Sequence, residues 1–454
     1  MLRALFLSGI FLFFLVAGLV APFVFSLGYV WVSTFRPQSV DSMVLQAIPV
    51  SVIMGAGAIG SYLLLDRRSP PPVTATTVLT LLLAVWTTFT LLWAVVPGAA
   101  WTKWDWAFKT LLFSAFMPLV FRTRVQIEAM LQVWMFSLGI YFLPFGFKTL
   151  ISGGGYGKYL GIVSGNSGLT ESSTLAAVSL MAVPLILFLR TQSVLLTRSR
   201  LTDALYIGLA VAALAAAVGS YARTGLVGML VVGVGLLLRS RHKILYGALG
   251  AAAALAIILF SSQAWNERIA SIDDYEQEAS ALGRLLVWQW TVDFAVQNPL
   301  GGGFNAYMIS QIEMGTLPGT GEPRIIIGKA FHNIYIEVLG EHGWIGLGLY
   351  LALLGTTLLT QQRLLRRTRG RPELEWCNEL ARALQIALVT IMACGMFIGI
   401  AFQPMIYYLI AITASVANHV RRVDAPSPAR VAVPTLGAGG PEPALPGARR
   451  WSRP

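Results

Sequence analysis

The sequence predicts an all-α, polytopic membrane protein with about twelve transmembrane helices and one long external loop, and three observations carry that prediction. Of 454 residues, 56% are hydrophobic and 12% charged, more apolar surface than a water-soluble globule of this size can hide. Apolar runs long enough to cross a ~30 Å hydrocarbon layer, about 20 residues each, recur along the chain. Lysine and arginine fall in short runs between them, as they do in cytoplasmic loops. That placement also explains the net charge of +12, so no nucleic-acid partner is expected. Cys377 and Cys394 are too far apart for a CxxC pair, which argues against redox chemistry and leaves no disulfide framework.

The twelve runs lie at about 4–32, 43–65, 74–96, 107–121, 125–147, 173–190, 204–222, 224–238, 244–261, 332–360, 383–401 and 403–420. The first exceeds a signal peptide's core and lacks an A-x-A-like site, so it is kept as a span. Placing both termini in the cytoplasm puts 23 of the 33 basic residues inside, from Arg3 and Arg67-Arg68 to the C-terminal tail. Ten are left outside, among them Arg36, Lys103, Lys109, Arg223, Arg284 and Lys329, and topology does not account for them.

Three regions follow: membrane helices over 1–200, a second membrane region over 201–422 and a tail over 423–454. The second region holds the external loop 262–331, far longer than an ordinary connection. Within it "EQEASALGRLLVWQWTVDFAVQ" has apolar residues at helical spacing, with Leu282, Leu285, Leu286 and Trp290 on one side. It reads as an amphipathic helix at the membrane surface, closed by Asn298-Pro299 and followed by the glycine turn of "NPLGGGFNAY". The tail is rich in Pro, Ala, Gly and Arg without periodicity and is expected to be disordered and cytoplasmic.

Ionisable groups in or beside hydrocarbon are costly and mark candidate sites. Arg223, in "SYARTGLVG", occupies a short outer hairpin, where it either snorkels to headgroups or holds an anion. Arg284 lies on the amphipathic helix, solvated or facing phosphate. His332 stands where the loop enters the tenth span, as a cap or as a neutral imidazole that meets substrate at the bilayer surface. Asn333 beside it either orients it or caps the helix. Glu341, nine residues on and about half a turn round, reads best as a buried pairing that fixes helix packing. Gly343, Gly346 and Gly348 would let another helix approach there. GxSxG, HExxH and Walker signatures are absent, "SGGGYGKY" lacks a phosphate loop's strand-to-helix context, and Asp273-Asp274 reads as a solvated loop start.

Taken together, "RTGLVG" after an outward-going span, the loop segment "GRLLVWQWTVDFAVQNPLGGGFNAY" and "FHNIYIEVLGEHGWIGLGLY" resemble the O-antigen ligase, O-antigen polymerase and O-oligosaccharyltransferase superfamily over about residues 200–360. "DRRSPPPVTATTVLTLLLAVWTTFTLLWA" and "KTLLFSAFMPLVF" look like the O-glycosylation ligases found alongside exosortase systems. The resemblance implies a multi-pass protein of the bacterial inner membrane with its active site facing the periplasm. Its activity would be transfer of a glycan from an undecaprenyl-diphosphate-linked donor to an acceptor hydroxyl, inverting and without metal or cofactor. It implies His332 as the essential histidine and Arg223 and Arg284 as the essential external arginines. The acceptor is left open among glycan, lipid A core and protein. A polymerase joining repeat units is the alternative, and a flippase or transporter a more distant one, since the notable charges gather on one face. His342, directly after the family's glutamate position, departs from the pattern.

Overall fold

The computed structural model describes residues 2–40, 44–152, 169, 171–238, 275–316 and 323–425, which fold into a helical bundle with a small external cap. The expected span 244–261, Asp273-Asp274, the glycine run from residue 153 onward and the tail beyond residue 425 lie outside the described residues. In chain order the helices are α1 (Leu2–Val20), α2 (Phe23–Phe35), the single turn α3 (Pro37–Val40), α4 (Val50–Leu65), α5 (Ala75–Phe89), α6 (Pro97–Val120), α7 (Arg124–Ser152) and α8 (Ser172–Gln192). They continue with α9 (Arg200–Gly219), α10 (Arg223–Leu237), α11 (Tyr275–Gln297), α12 (Ile334–Arg367), α13 (Glu375–Cys394) and α14 (Pro404–Asp424). Among the described residues seven helices are long and apolar enough to cross a membrane: α1, α5, α7, α8, α9, α12 and α13. α2, α4 and α10 are apolar but shorter.

The first expected span, 4–32, is not one helix. The chain breaks at Ala21-Pro22 and doubles back: the rings of Phe14 and Trp31 sit 5.6 Å apart, where a continuous helix would separate them by ~25 Å at 1.5 Å per residue. Gly18 packs on Phe25 and Gly28 on Phe14, so small residues let the two arms close. Val30 and Val32 on α2 are wholly buried, whereas Leu5, Phe6 and Val20 on α1 face outward. The tip of this hairpin, Pro22-Phe23, lies beside Asp66 and Arg68, so Arg3 is at the opposite end of the bundle from Arg67-Arg68, whereas the expected topology puts them on one side. At the other end of the described chain, Arg422 of α14 reaches the carbonyl of Arg122, next to the Val120 carbonyl that Arg68 approaches.

α8 and α14 form the centre. α8 reads "SSTLAAVSLMAV" over its first half, and small side chains let α9, α10 and α13 pack closely around it. At the α7–α9 contact a Cβ on Gly146 would lie 2.4 Å from the Ala212 carbonyl oxygen, so only glycine fits. α14 buries Tyr407 and Tyr408, and Ser114 on α6 donates to the Tyr407 carbonyl (2.7 Å).

α12 is broken at Gly343, whose φ of 64° and ψ of −165° are open to glycine. The break frees backbone carbonyls inside the protein, each costing several kcal/mol if left unpaired in an apolar setting. The glycine turn of the loop and Trp86 of α5 supply the missing donors. Gly302 N–H donates to Gly340 (3.0 Å), Gly303 N–H to Glu341 (2.8 Å), and the Trp86 indole to His342 (2.8 Å). In return the Trp344 N–H donates to Pro299 (3.1 Å). What approaches Gly343 is therefore this turn rather than another helix; Gly346 meets Trp86 of α5, and Gly348 has nothing within 4 Å.

The external segment adds detail to two expectations. An all-α reading misses a two-stranded antiparallel hairpin, β1 (Gln311–Thr316) and β2 (Pro323–Ile327), pairing Ile312 with Ile326. Its β-branched "RIII" and the intervening "PGTG" are strand and turn signals that a count of membrane spans overlooks. The amphipathic helix α11 packs by Gly283, Val287, Thr291 and Ala295, while Leu282 and Leu285 of the expected apolar side face outward. Such a face suits a lipid surface rather than the protein core.

Candidate active site

His332 sits in the left-handed region at φ 48°, a conformation strained for any residue but glycine. Its neighbours hold it there. The Asn333 side chain accepts from the N–H groups of Tyr335 and Ile336 (2.9 and 3.3 Å) and so caps α12, the second of its two expected roles. The Ile334 N–H donates to the Gly395 carbonyl (2.8 Å). On the other side Phe331 is buried with Val287 and Ile312, and the Trp288 indole donates to the Phe331 carbonyl (2.8 Å). Trp288 is one turn beyond Arg284 on α11, so the helix that carries the arginine is bolted to the backbone that carries the histidine.

Arg284 is half-buried on that turn, with the Lys329 side chain lying over Gly283 beside it. Arg223 opens α10, two residues after Tyr221, whose φ of 50° makes the tight turn from α9. Arg284 is the electrostatic neighbour of both His332 and Arg223. Burial, and next the positive charge of Arg284, hold the His332 imidazole below its ordinary range, against the opposing pull of Glu171 and Glu337. Burial also lowers Arg284, which feels Glu171 as a stabilising charge and Arg223 as a repelling one. Arg284 thus acts on His332 on one side and on Arg223 on the other. Glu171, at the start of α8, joins them and carried no signal in the sequence.

Glu341 has a different position. Lys103 of α6 bridges two carboxylates of α12, 2.6 Å from Glu337 and 2.7 Å from Glu341, with all three side chains at most 12% exposed. Glu341 also accepts the Asn305 N–H (2.8 Å) and Glu337 the Ala401 N–H (3.1 Å). The rings of Phe304 and Phe402 flank the ammonium at 5.7 Å each. This is the packing role expected of Glu341. Glu337 went unnoticed, although two glutamates four residues apart on an apolar helix demand a cation, and Lys103 was one of the outer basic residues that topology left over. Glu337 lies between this bridge and the histidine: a Cβ on Gly399 would stand 3.4 Å from Glu337 Oε2 and 3.9 Å from the His332 nitrogen.

His342 is wholly buried and away from the mouth. Its Nδ1 pairs with Thr90 Oγ1 (2.9 Å) and its ring packs edge-on against Phe304 and Phe402, so it locks the α12 break to the end of α5. Among the described residues no three His, Cys, Asp or Glu side chains gather closely enough to hold a metal ion.

Two family comparisons divide the chain. Residues 2–194 match a family described only as being of unknown function, and residues 208–351 match the O-antigen ligase family. The second match contains Arg223, Arg284, His332, Glu337 and Glu341. It supports a multi-pass bacterial membrane protein that transfers glycans, of the ligase or polymerase type. No curated protein matches the chain.

Proposed function

We propose that this chain moves a glycan from an undecaprenyl-diphosphate carrier to an acceptor hydroxyl at the periplasmic face of the inner membrane. The observation that carries this reading is the charge of Arg284, which acts on His332 at the mouth of α12 and is itself felt against Arg223, all three inside the segment that matches the O-antigen ligase family.

The chemistry fits these side chains. The acceptor oxygen attacks the anomeric carbon, a glycosidic bond forms, and the bond from that carbon to the carrier's diphosphate breaks. The acceptor's proton passes to His332, and the electron pair leaves with the diphosphate. A single in-line displacement of this kind inverts the anomeric centre. An imidazole held below its ordinary range is neutral at neutral pH and so free to accept that proton, a contribution of about 100- to 10,000-fold. Charge developing on the leaving diphosphate meets two planar guanidinium forks, which hold phosphate oxygens in pairs and stay charged. Preorganised charge of this sort lowers a barrier by several kcal/mol.

The test is consumption of purified undecaprenyl-diphosphate glycan by correctly inserted His332→Ala protein. Turnover reduced at least ~100-fold is expected; wild-type turnover would remove the base. Chain-length analysis of the product then separates single transfer, which leaves the glycan at donor length, from polymerisation of repeat units.

A further inference from the structure

One ammonium, Lys103, answers two carboxylates, Glu337 and Glu341, in the buried cluster that links α6 to α12. The further contacts of the two acids are the neutral N–H groups of Asn305 and Ala401. With both acids ionised the cluster would hold an excess negative charge, which is costly in an apolar interior unless a proton cancels it.

The hydrogen bonds around His342 show where that proton belongs. Thr90 has a single hydroxyl hydrogen, and its Oγ1 donates to the Thr87 carbonyl (2.9 Å). Toward His342 Nδ1, also 2.9 Å away, the same oxygen can then only accept, so Nδ1 carries the hydrogen of the neutral ring. Nε2 is left as a lone pair. It faces Glu341 Oε2 at 3.8 Å, and an ionised carboxylate has only lone pairs to offer it. Both atoms are closed to water, and among the described residues neither has a hydrogen-bond partner. Two buried acceptors set against each other are a costly arrangement, and one hydrogen between them removes the cost.

We infer that Glu341 is a protonated carboxylic acid at neutral pH, its Oε2–H directed at His342 Nε2, and that this bound proton makes the cluster at the α12 break electrically neutral. The proton stays on the oxygen. Passing it to the imidazole would turn a neutral pair into two buried charges. It would also set a second cation against Lys103 across the rings of Phe304 and Phe402, which both groups touch. Lys103 then has Glu337 as its counter-ion, while Oε1 of Glu341 accepts from Lys103 and from the Asn305 N–H as a carbonyl oxygen. His342, which departs from the family's pattern, thereby gains a role: it is the acceptor that lets a glutamate stand uncharged beside a lysine. The inference does not depend on the transfer reaction.

The test is infrared spectroscopy of the full-length protein at neutral pH in a maltoside detergent, which has no carbonyl band of its own. Exposed carboxylates are ionised there, so a carboxylic-acid C=O band reports a buried acid. Wild type should show such a band, Glu341→Gln should remove it, and His342→Leu should move it to higher frequency by taking away its hydrogen-bond acceptor. Glutamine is the uncharged isostere of the acid, so Glu341→Gln should melt within about 3 °C of wild type, and Glu337→Gln, which removes the counter-ion of Lys103, should melt lower than that. A wild-type spectrum without an acid band, one that Glu341→Gln leaves unchanged, or a band unmoved by His342→Leu would overturn the inference. So would Glu341→Gln protein that melts as low as Glu337→Gln or does not fold.

Discussion

His332 carries two physical marks that are independent of each other: a left-handed backbone and an imidazole depressed by burial and by Arg284. The second has a measurable sign. A base works only while deprotonated, so turnover is lost as pH falls through the pKa of His332, and the lowered value places that acid limb below the ordinary 6.5. Replacing Arg284 with Gln removes the largest charge acting against protonation, so the limb of the residual activity should move to higher pH. A pH–rate profile of donor cleavage checks this; a limb unmoved in Arg284→Gln means the two groups do not share a field. At this scale the sequence was legible where a residue was costly. Arginine at a short hairpin, histidine at a span's mouth and glutamate within a span each violate the bilayer's preference and are conspicuous for that reason. Glu171 has no such mark, because a single acid near a helix start looks like an ordinary cap, and Glu337 shows its need of a cation only when read together with Glu341.

α12 shows how an element serves that site. Its break at Gly343 turns two carbonyls toward the loop and a third toward Trp86 of α5, and the turn Pro299–Gly303 plugs into the first two, which fixes where α11 ends and thus where Arg284 stands. Adding a methyl group at Gly343 would place it 2.1 Å from the Pro299 oxygen in a backbone region hostile to side chains. Gly343→Ala should therefore cost at least ~2 kcal/mol, while Gly348→Ala, with open space around it, should stay within about 0.5 kcal/mol. Denaturation midpoints in detergent decide the matter, and equal stability of the two variants would mean the plug is dispensable. Apolar length made most helices readable, yet the glycines of "GEHGWIGLG" looked like helix contacts because a break and a close approach use the same residue. The α1–α2 hairpin was hidden for a similar reason: a run of 29 apolar residues, 4–32, has the composition of one long span, and only Pro22 hints at the fold-back.

At the scale of the whole molecule, segment 2–194, which matches a family of unknown function, and segment 208–351, which matches O-antigen ligases, share a buried ion cluster, with Lys103 from the first and Glu337 and Glu341 from the second. Removing one partner of such a cluster leaves unpaired buried charge. Lys103→Met should therefore destabilise the protein by about 3–5 kcal/mol, and adding Glu337→Gln and Glu341→Gln should recover much of the loss. Thermal unfolding of the three proteins checks it; a single variant as stable as wild type would show that the segments are held together by other contacts. The cluster also explains why the charged first half of α6 belongs in the bundle, which no scan for apolar length would propose.

The central claim is that Arg223 and Arg284 act as one unit on the leaving diphosphate beside His332. A double-mutant cycle on single-turnover donor cleavage, using Arg223→Ala, Arg284→Ala and the pair, tests it most directly. Groups that act together give strongly non-additive losses, so the double variant should cleave the donor about as slowly as the worse single variant. Losses that simply multiply, or wild-type cleavage by either single variant, would contradict the account.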